Sequence, residues 1–472
     1  MIVFTFLAST VTSAEPLRLH PKNPSYFLYH DKAVVLVTSG EHYGAVLNLD
    51  FKYEPYLDTL AAAGLNLTRL FVGSYLEKPG DFNIRRNTLA PRPGRLAVPW
   101  ARSTTEGYAG GGMKFDLDRW DDGYFARLRD FVENAESRGI VVEVVLFSNW
   151  YGKGTMSPLH HANNVNGLPA LEPDAVHTLD NGPLLARQEA MVRKVVASLN
   201  AFDNVYFEIQ NEPDATSKDT RPMPKVRNTS APAEVKVATA ASLAWQARVA
   251  EWIADEERGL PKRHLIAQNY ANHGVPLDAI DNRVSILNFH YAEPEAVGWN
   301  RRWRRPVAFD ESGFAGADDT IYRRQAWRFL MSGGAVFSGL DYSFAVGFEK
   351  GTAENDAPGG GSAALRSQLG VLRQMLESTG LVELSPDAKV VTEARGATTY
   401  ALSQPGRLYL VYVEGPGKTD LIVALPAGRY EAVWMNARTG RIDRREEVTG
   451  GGTRLLESPE YMTDVVVRIA RK

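Results

Sequence analysis

The sequence predicts an α/β chain: a (β/α)8 barrel followed by a small all-β sandwich domain. Three observations carry that prediction. Between residues 33 and 380, eight short apolar runs alternate with longer amphipathic ones. The short runs are apolar on both faces, as strands of a parallel sheet covered by helices must be. After Leu381 the texture changes to brief β-rich runs separated by Gly, Pro, Asn and Asp, the pattern of an antiparallel sandwich.

The strand candidates are 33–37, 66–72, 140–147, 205–210, 264–268, 284–289, 306–310 and 335–340. Helix candidates at 53–63, 119–138, 184–199, 231–257 and 320–331 lie between them, and 363–378 follows the last strand. In 119–138, Trp120, Tyr124, Leu128, Phe131, Val132 and Ala135 recur at helical spacing. Eight such repeats fit a closed barrel better than an open sheet. Gly110–Gly112 and Gly359–Gly361 lack a strand-turn-helix context and read as flexible loops rather than nucleotide-binding turns. The expected division is a barrel over 15–380 and a sandwich over 381–472, with strands at 390–393, 398–402, 408–413, 421–423, 430–434 and 465–469. Asn436–Gly440 reads as a turn between two of them.

Composition narrows the function classes. The 472 residues carry 53 basic and 56 acidic side chains, a net charge of −3, so no basic excess points to nucleic acid or an anionic membrane. The chain has no cysteine, which excludes disulfides, thiolate zinc sites and a cysteine nucleophile. Residues 1–14 are apolar and end in Thr12-Ser13-Ala14 before Glu15 and Pro16. They read as a truncated signal peptide of a secreted or periplasmic protein; without that signal the expectation is cytoplasmic. No other stretch reaches the roughly 18 apolar residues of a membrane span.

Chemistry concentrates at the strand ends, where a barrel of this kind places its active site. The stretch 205–214 reads VYFEIQNEPD. It is a buried strand stopped by Pro213, which lacks an N–H and leaves Glu212 at the mouth beside Asn211. The other ends present Gly40-Glu41-His42-Tyr43, Asn149-Trp150-Tyr151, Asn269-Tyr270, His290-Tyr291, Asp310-Glu311 and Asp341-Tyr342, and Arg69 lies inside the second strand. Together these form a site for an uncharged ligand with two carboxylates, Glu212 and Glu311. Strand alternation groups Glu311 with Val307 and Phe309 and favours it over Asp310 as the inward acid. The same alternation turns Glu208 inward, where a lone carboxylate needs a partner. Arg69 fits that place in two ways, as a buried ion pair or as a group orienting the strand-seven carboxylate.

Two Glu on the fourth and seventh strands suit retaining glycoside hydrolysis. One protonates the leaving oxygen while the other attacks the anomeric carbon, with the carboxyl groups about 5–5.5 Å apart. Asn211 is placed to hold the sugar 2-hydroxyl, and Tyr291 to donate to the nucleophile. His42, His290, Trp150 and Asp341 complete the expected substrate-binding set. Trp100 and Trp150 suit sugar stacking and core packing alike. His160 and His161 have no carboxylate at ligand spacing and read as polar contacts of a substrate loop or as plain loop residues rather than a metal site. No Gly-x-Ser-x-Gly elbow or nucleotide-binding loop is present.

On Asn211-Glu212-Pro213, the Glu ending strand seven, Arg69 and His290-Tyr291, residues 30 to 350 resemble the clan A glycoside hydrolases, nearest to the cellulase family 5. The resemblance implies Glu212 as acid/base and Glu311 as nucleophile. The chain departs from that pattern in Asp310 before the nucleophile, in a contracted His290-Tyr291, and in Asp341-Tyr342 where an aromatic platform is usual, so it resembles a divergent branch. The segment with Gly428–Trp434 and Thr439-Gly440 resembles the collagen-binding-like β domain of apiosidase-like barrel hydrolases. The expected activity is cleavage of β-linked poly- or oligosaccharides without metal or cofactor. Its rivals are a carbohydrate-binding barrel without turnover and a metal-dependent hydrolase.

Overall fold

The computed structural model describes residues 15–354 and 357–472; the 1–14 segment read as a signal lies outside them. Eight strands build the barrel: β1 (Leu36–Gly40), β2 (Leu67–Phe71), β3 (Val141–Ser148), β4 (Val205–Asn211), β5 (Ile266–Asn272), β6 (Ile286–His290), β7 (Val307–Ser312) and β8 (Val336–Leu340). They run in the order β1-β8-β7-β6-β5-β4-β3-β2 with parallel pairing throughout. At the seam between β1 and β2 a side chain does the work of a ladder. Asn66 accepts from Val37 N at 2.9 Å and donates to Val35 O at 2.9 Å.

The main helices are α1 (Tyr53–Ala62), α2 (Asp122–Glu136), α3 (Leu184–Leu199), α4 (Ala240–Arg258), α5 (Asp319–Met331) and α6 (Ala363–Glu377). Two start later than periodicity implies, because a cap residue sets the start. Asp121 accepts from Tyr124 N and opens α2, leaving Arg119 and Trp120 in a hairpin strand (Met113–Trp120). Thr239 accepts from Ser242 N and opens α4, while Glu234–Lys236 pairs with Thr220–Pro222. Such side-chain acceptors satisfy the first free N–H groups of a helix.

Gly359–Gly361 is packed, contrary to the flexible loop expected. A Cβ on Gly359 would lie 1.7 Å from the Gly313 carbonyl oxygen, and one on Gly361 would lie 2.1 Å from Asp341 Oδ1.

The C-terminal part forms a six-stranded and a three-stranded antiparallel sheet around Val411, Trp434, Val465 and Val467. Besides the two-residue strand Ser385–Pro386, two longer strands escaped the sequence reading, Ile442–Thr449 and Gly452–Glu457. Each lies at the edge of its sheet and the first reads IDRREEVT, because edge strands carry charge where core strands cannot. Asn436–Gly440 is a turn, with Asn436 Oδ1 accepting from Arg438 N at 3.0 Å and Thr439 N at 3.1 Å. This part grips α5. Trp327 stacks on Tyr412 with ring centres 5.1 Å apart, and Arg323 holds Asp464 through two contacts of 2.8 and 3.0 Å. Arg324 and Arg328 both pair with Glu414.

Candidate functional site

At the C-terminal ends of β5 to β8 the ladder breaks register, at Asn269/Ala271, Phe289/His290 and Phe309/Ser312. Such bulges re-aim side chains. The bulge in β7 sends consecutive residues inward, which simple alternation forbids. Glu311 lines the cavity above, and Asp310 is fully buried beneath it, accepting from Asn288 Nδ2 at 2.8 Å. The expectation that Asp310 faces away from Glu311 is therefore corrected.

The cavity holds about 270 Å³ and is walled by Phe71, Tyr75, Phe82, Leu89 and Phe314. Its polar lining includes His42, Tyr43, Glu77, Tyr151, Asn211, Glu212, Asn272, Tyr291 and Glu311. Three of these residues carry left-handed backbone: Tyr43 (φ 59°), Glu212 (φ 46°) and Tyr291 (φ 49°). That conformation costs a non-glycine residue about 1–2 kcal/mol, and strain of this kind gathers where a site needs a side chain in one place.

Glu311 is held from two sides. Tyr43 donates to Oε2 and Tyr291 to Oε1, both at 2.7 Å, and Arg69 Nη1 stands 3.5 Å from Oε2. Glu212 accepts from the Tyr151 hydroxyl, and His290 Nδ1 lies 3.1 Å from its Oε1. Burial lowers the affinity of His290 for a second proton. Burial also pushes the Glu212 carboxyl upward against the opposing influence of Asn272 and Arg69. Ligand atoms of Glu212, His290 and Glu311 all lie within 4.8 Å of one another.

Below the cavity lies a buried charge cluster. Arg69 bonds Glu208 through Nη2 and through Nε at 3.2 Å. It stands 3.4 Å from Asp310 and 3.5 Å from Glu143, and Nη2 donates to Asn211 Oδ1 at 3.0 Å. One guanidinium thus faces four carboxyls, counting Glu311. Burial, with Asp310 and Glu208 nearby, drives Glu143 well above the usual carboxylate range. Burial likewise lifts Glu208 to about 7 although Arg69 pulls it down. Arg69 is the ion-pair partner of Glu208 and stands beside the strand-seven carboxylate.

The expected substrate-binding residues separate. His42, Asn211 and Tyr291 line the cavity. Arg69 and His290 do not; at 2% and 0% exposure they lie behind it, in contact with Asn211, Glu212 and Glu311. Asp341 is turned away, its carboxylate bound by Arg366 at 2.5 Å and by Ser39 at 3.1 Å. Trp150 is 3% exposed and packs over Gly154, where a Cβ would meet its ring at 2.3 Å. Partners remote in sequence, on α6 and β1, captured Asp341, whereas Trp150 was captured by a glycine four residues on. The reading missed Tyr43, Tyr151, Glu77, Asn272 and Glu143. Tyr43 and Tyr151 stand one residue from the selected His42 and Trp150; His42 lines the cavity beside Tyr43, whereas Tyr151 lines it in place of Trp150. Glu143, an acid inside the apolar run 140–147, was a visible signal.

Two sets of groups have a donor geometry that a cation can use, Glu208–His290–Asp310 and Glu212–His290–Glu311. In the first, Arg69 already supplies the positive charge. In the second, a phenolic O–H already occupies Glu212 Oε2 and both oxygens of Glu311.

Fold and site together define a class: a (β/α)8 barrel with a cavity at its C-terminal face on which the carboxylates Glu212 and Glu311 converge. No family model matches the chain, and no curated protein does. Solved structures do. A suspected glycoside hydrolase from Bacteroides vulgatus is similar with TM-score 0.66 at 15% identity, over 98% of this chain and 84% of that one. A family 5 glycoside hydrolase from the same organism gives 0.62 at 13%, over 97% and 93%. The family 30 subfamily 8 xylanase Xyn30A from Clostridium acetobutylicum gives 0.50 at 12%, over 93% and 97%. At such identities the likeness is one of fold.

Proposed function

We propose that the protein is a retaining glycoside hydrolase acting on β-linked poly- or oligosaccharides, with Glu212 as acid/base and Glu311 as nucleophile. The observation that carries this reading is the approach of the two carboxylates, with oxygens within 4.8 Å. Retaining enzymes hold their carboxyl groups about 5–5.5 Å apart, whereas inverting ones leave about 6.5–9.5 Å for a water. Likeness of fold to glycoside hydrolases supports it.

Each step has a residue in place. Tyr43 and Tyr291 fix both oxygens of Glu311, so the nucleophile is oriented before substrate arrives. Glu311 attacks the anomeric carbon while Glu212, whose proton is retained by burial, protonates the leaving oxygen. Glu212 then takes a proton from water as that water releases the sugar from Glu311. Asn211, anchored by Arg69 and by Ser148 Oγ at 3.3 Å, is placed to bind the 2-hydroxyl. Residues 15–380 carry the chemistry in this proposal, and 381–472 brace α5. Export rests on the apolar 1–14 segment.

The test is chemical rescue. Glu212→Ala should lose turnover on poor leaving groups and regain it with azide on activated aryl glycosides, releasing the β-glycosyl azide. Full activity in Glu212→Ala sinks the assignment, and binding without product across a broad glycan panel supports the carbohydrate-binding rival.

A further inference from the structure

The cavity contains a third carboxylate that the proposed chemistry does not use. Glu77 follows β2 in the chain and lines the same wall as His42. At 4% exposure it is more enclosed than Glu311, at 7%. Its setting is built. His42 Nε2 stands 3.1 Å from Oε2, Asn87 Nδ2 donates to that oxygen, and Tyr75 reaches Oε1 at 3.4 Å. The 3.3 and 3.4 Å contacts on Oε1 are long, so that oxygen keeps capacity for another donor.

Two further observations point to a ligand here. His42 is 8% exposed, lines the cavity, and has a ring nitrogen, Nδ1, without a hydrogen-bond partner. Asn272, across the cavity, leaves Oδ1 unpartnered as well. Buried polar atoms are rarely left unpaired, so each of these two, on a residue that lines the cavity, calls for a partner. The charge balance of the lining is also one-sided. Glu77, Glu212 and Glu311 face the cavity, and none of its lining residues is Lys or Arg.

We propose that Glu77, held by His42, Tyr75 and Asn87, is a specificity-determining carboxylate that accepts hydrogen bonds from the hydroxyls of an uncharged sugar and rejects uronic acids. His42 supplies the complementary donor, and together they read two neighbouring hydroxyls. A hexuronate would bring a further carboxylate close to Glu77 and Glu311 in a cavity lined by no Lys or Arg, and like charges set together in an enclosed site repel strongly. This inference rests on the glycosidase reading for its substrate class, but recognition and turnover fail separately.

The experiment measures binding by calorimetry and turnover by product release. The probes are methyl β-glycosides of glucose, galactose and mannose, each paired with the corresponding uronic acid glycoside. For at least one pair the neutral glycoside should bind roughly tenfold or more tightly than its uronide. In a folded Glu77→Gln variant that ratio should shrink to about threefold or less, with weaker binding of the neutral sugar, since the amide keeps the shape and loses the charge. Uronides that bind as well as neutral glycosides overturn the inference, as does an unchanged ratio in the variant or no binding of any neutral glycoside. Binding of the neutral sugar without turnover leaves this inference standing and overturns the hydrolase reading instead.

Discussion

Replacing Arg69 by Met should destabilise the barrel more at pH 8 than at pH 5, and adding Glu208→Gln should restore much of the loss. The guanidinium stands within 3.5 Å of Glu143, Asp310 and Glu311 and bonds Glu208 directly. Removing one member of a buried ion pair strands its partner and costs about 3–5 kcal/mol. Protonation limits that cost at low pH. Glu208 already sits at about 7 with Arg69 present, and losing the cation moves it higher. The folded state then holds protons that the unfolded chain has released above about pH 4. Stability therefore declines by up to about 1.4 kcal/mol per pH unit for each such proton, until the folded-state pKa is passed. The double variant removes the carboxylate most tightly bound to Arg69 along with the cation and leaves Glu143, Asp310 and Glu311 behind, so the recovery is substantial but not complete. Urea unfolding followed by tryptophan fluorescence at the two pH values, on wild type, both single variants and the double, provides the full cycle. A loss in Arg69→Met below about 1 kcal/mol refutes the reasoning, as does an equal loss at both pH values or a double variant no better than Arg69→Met.

Other consequences are simpler. Tyr43→Phe and Tyr291→Phe each remove one 2.7 Å donor from Glu311, and bonds to a charged group contribute about 1.5–3 kcal/mol. Each should lower kcat roughly 10–100-fold with little change in thermal midpoint, read by steady-state kinetics and a melting curve. The raised Glu212 carboxyl sets the alkaline limb of kcat/KM above the ordinary carboxylate range, because activity is lost as the acid gives up its proton. Tyr151 stabilises the ionised form by donating to Glu212, so Tyr151→Phe should move that limb to higher pH; a shift downward contradicts the assignment. Burial lifts Asp214 to about 7, against about 3.9 in an unfolded chain. Its contribution to stability is complete below about pH 4 and lost as pH rises toward 7, so Asp214→Asn should flatten the fall of the melting temperature across that interval.

The strands of the barrel were legible because burial on both faces leaves a continuous apolar run, and Pro213 and the Asn-Glu pair mark where one of them stops. The edge strand Ile442–Thr449 was not, since an edge exposes one face and tolerates the charges that hide its period. The same contrast runs through the site. Glu212 announces itself by its place beside Pro213, and the Glu208–Arg69 pair by a charge that must be matched. The side chain of Asp341 went to Arg366 and that of Asp310 followed a bulge, choices made by tertiary partners far along the chain. Glu77 lies in an irregular loop with no period at all, and only the fold brings it to His42.

The central claim is that Glu311 attacks the sugar from across the cavity that Glu212 closes. Incubation with 2-deoxy-2-fluoro aryl β-glycosides, followed by peptide mass mapping, tests it directly. The account predicts one fluoroglycosyl adduct on the peptide carrying Glu311, absent from Glu311→Gln. An adduct on another residue, or steady hydrolysis of the reagent with no adduct at any time, contradicts it.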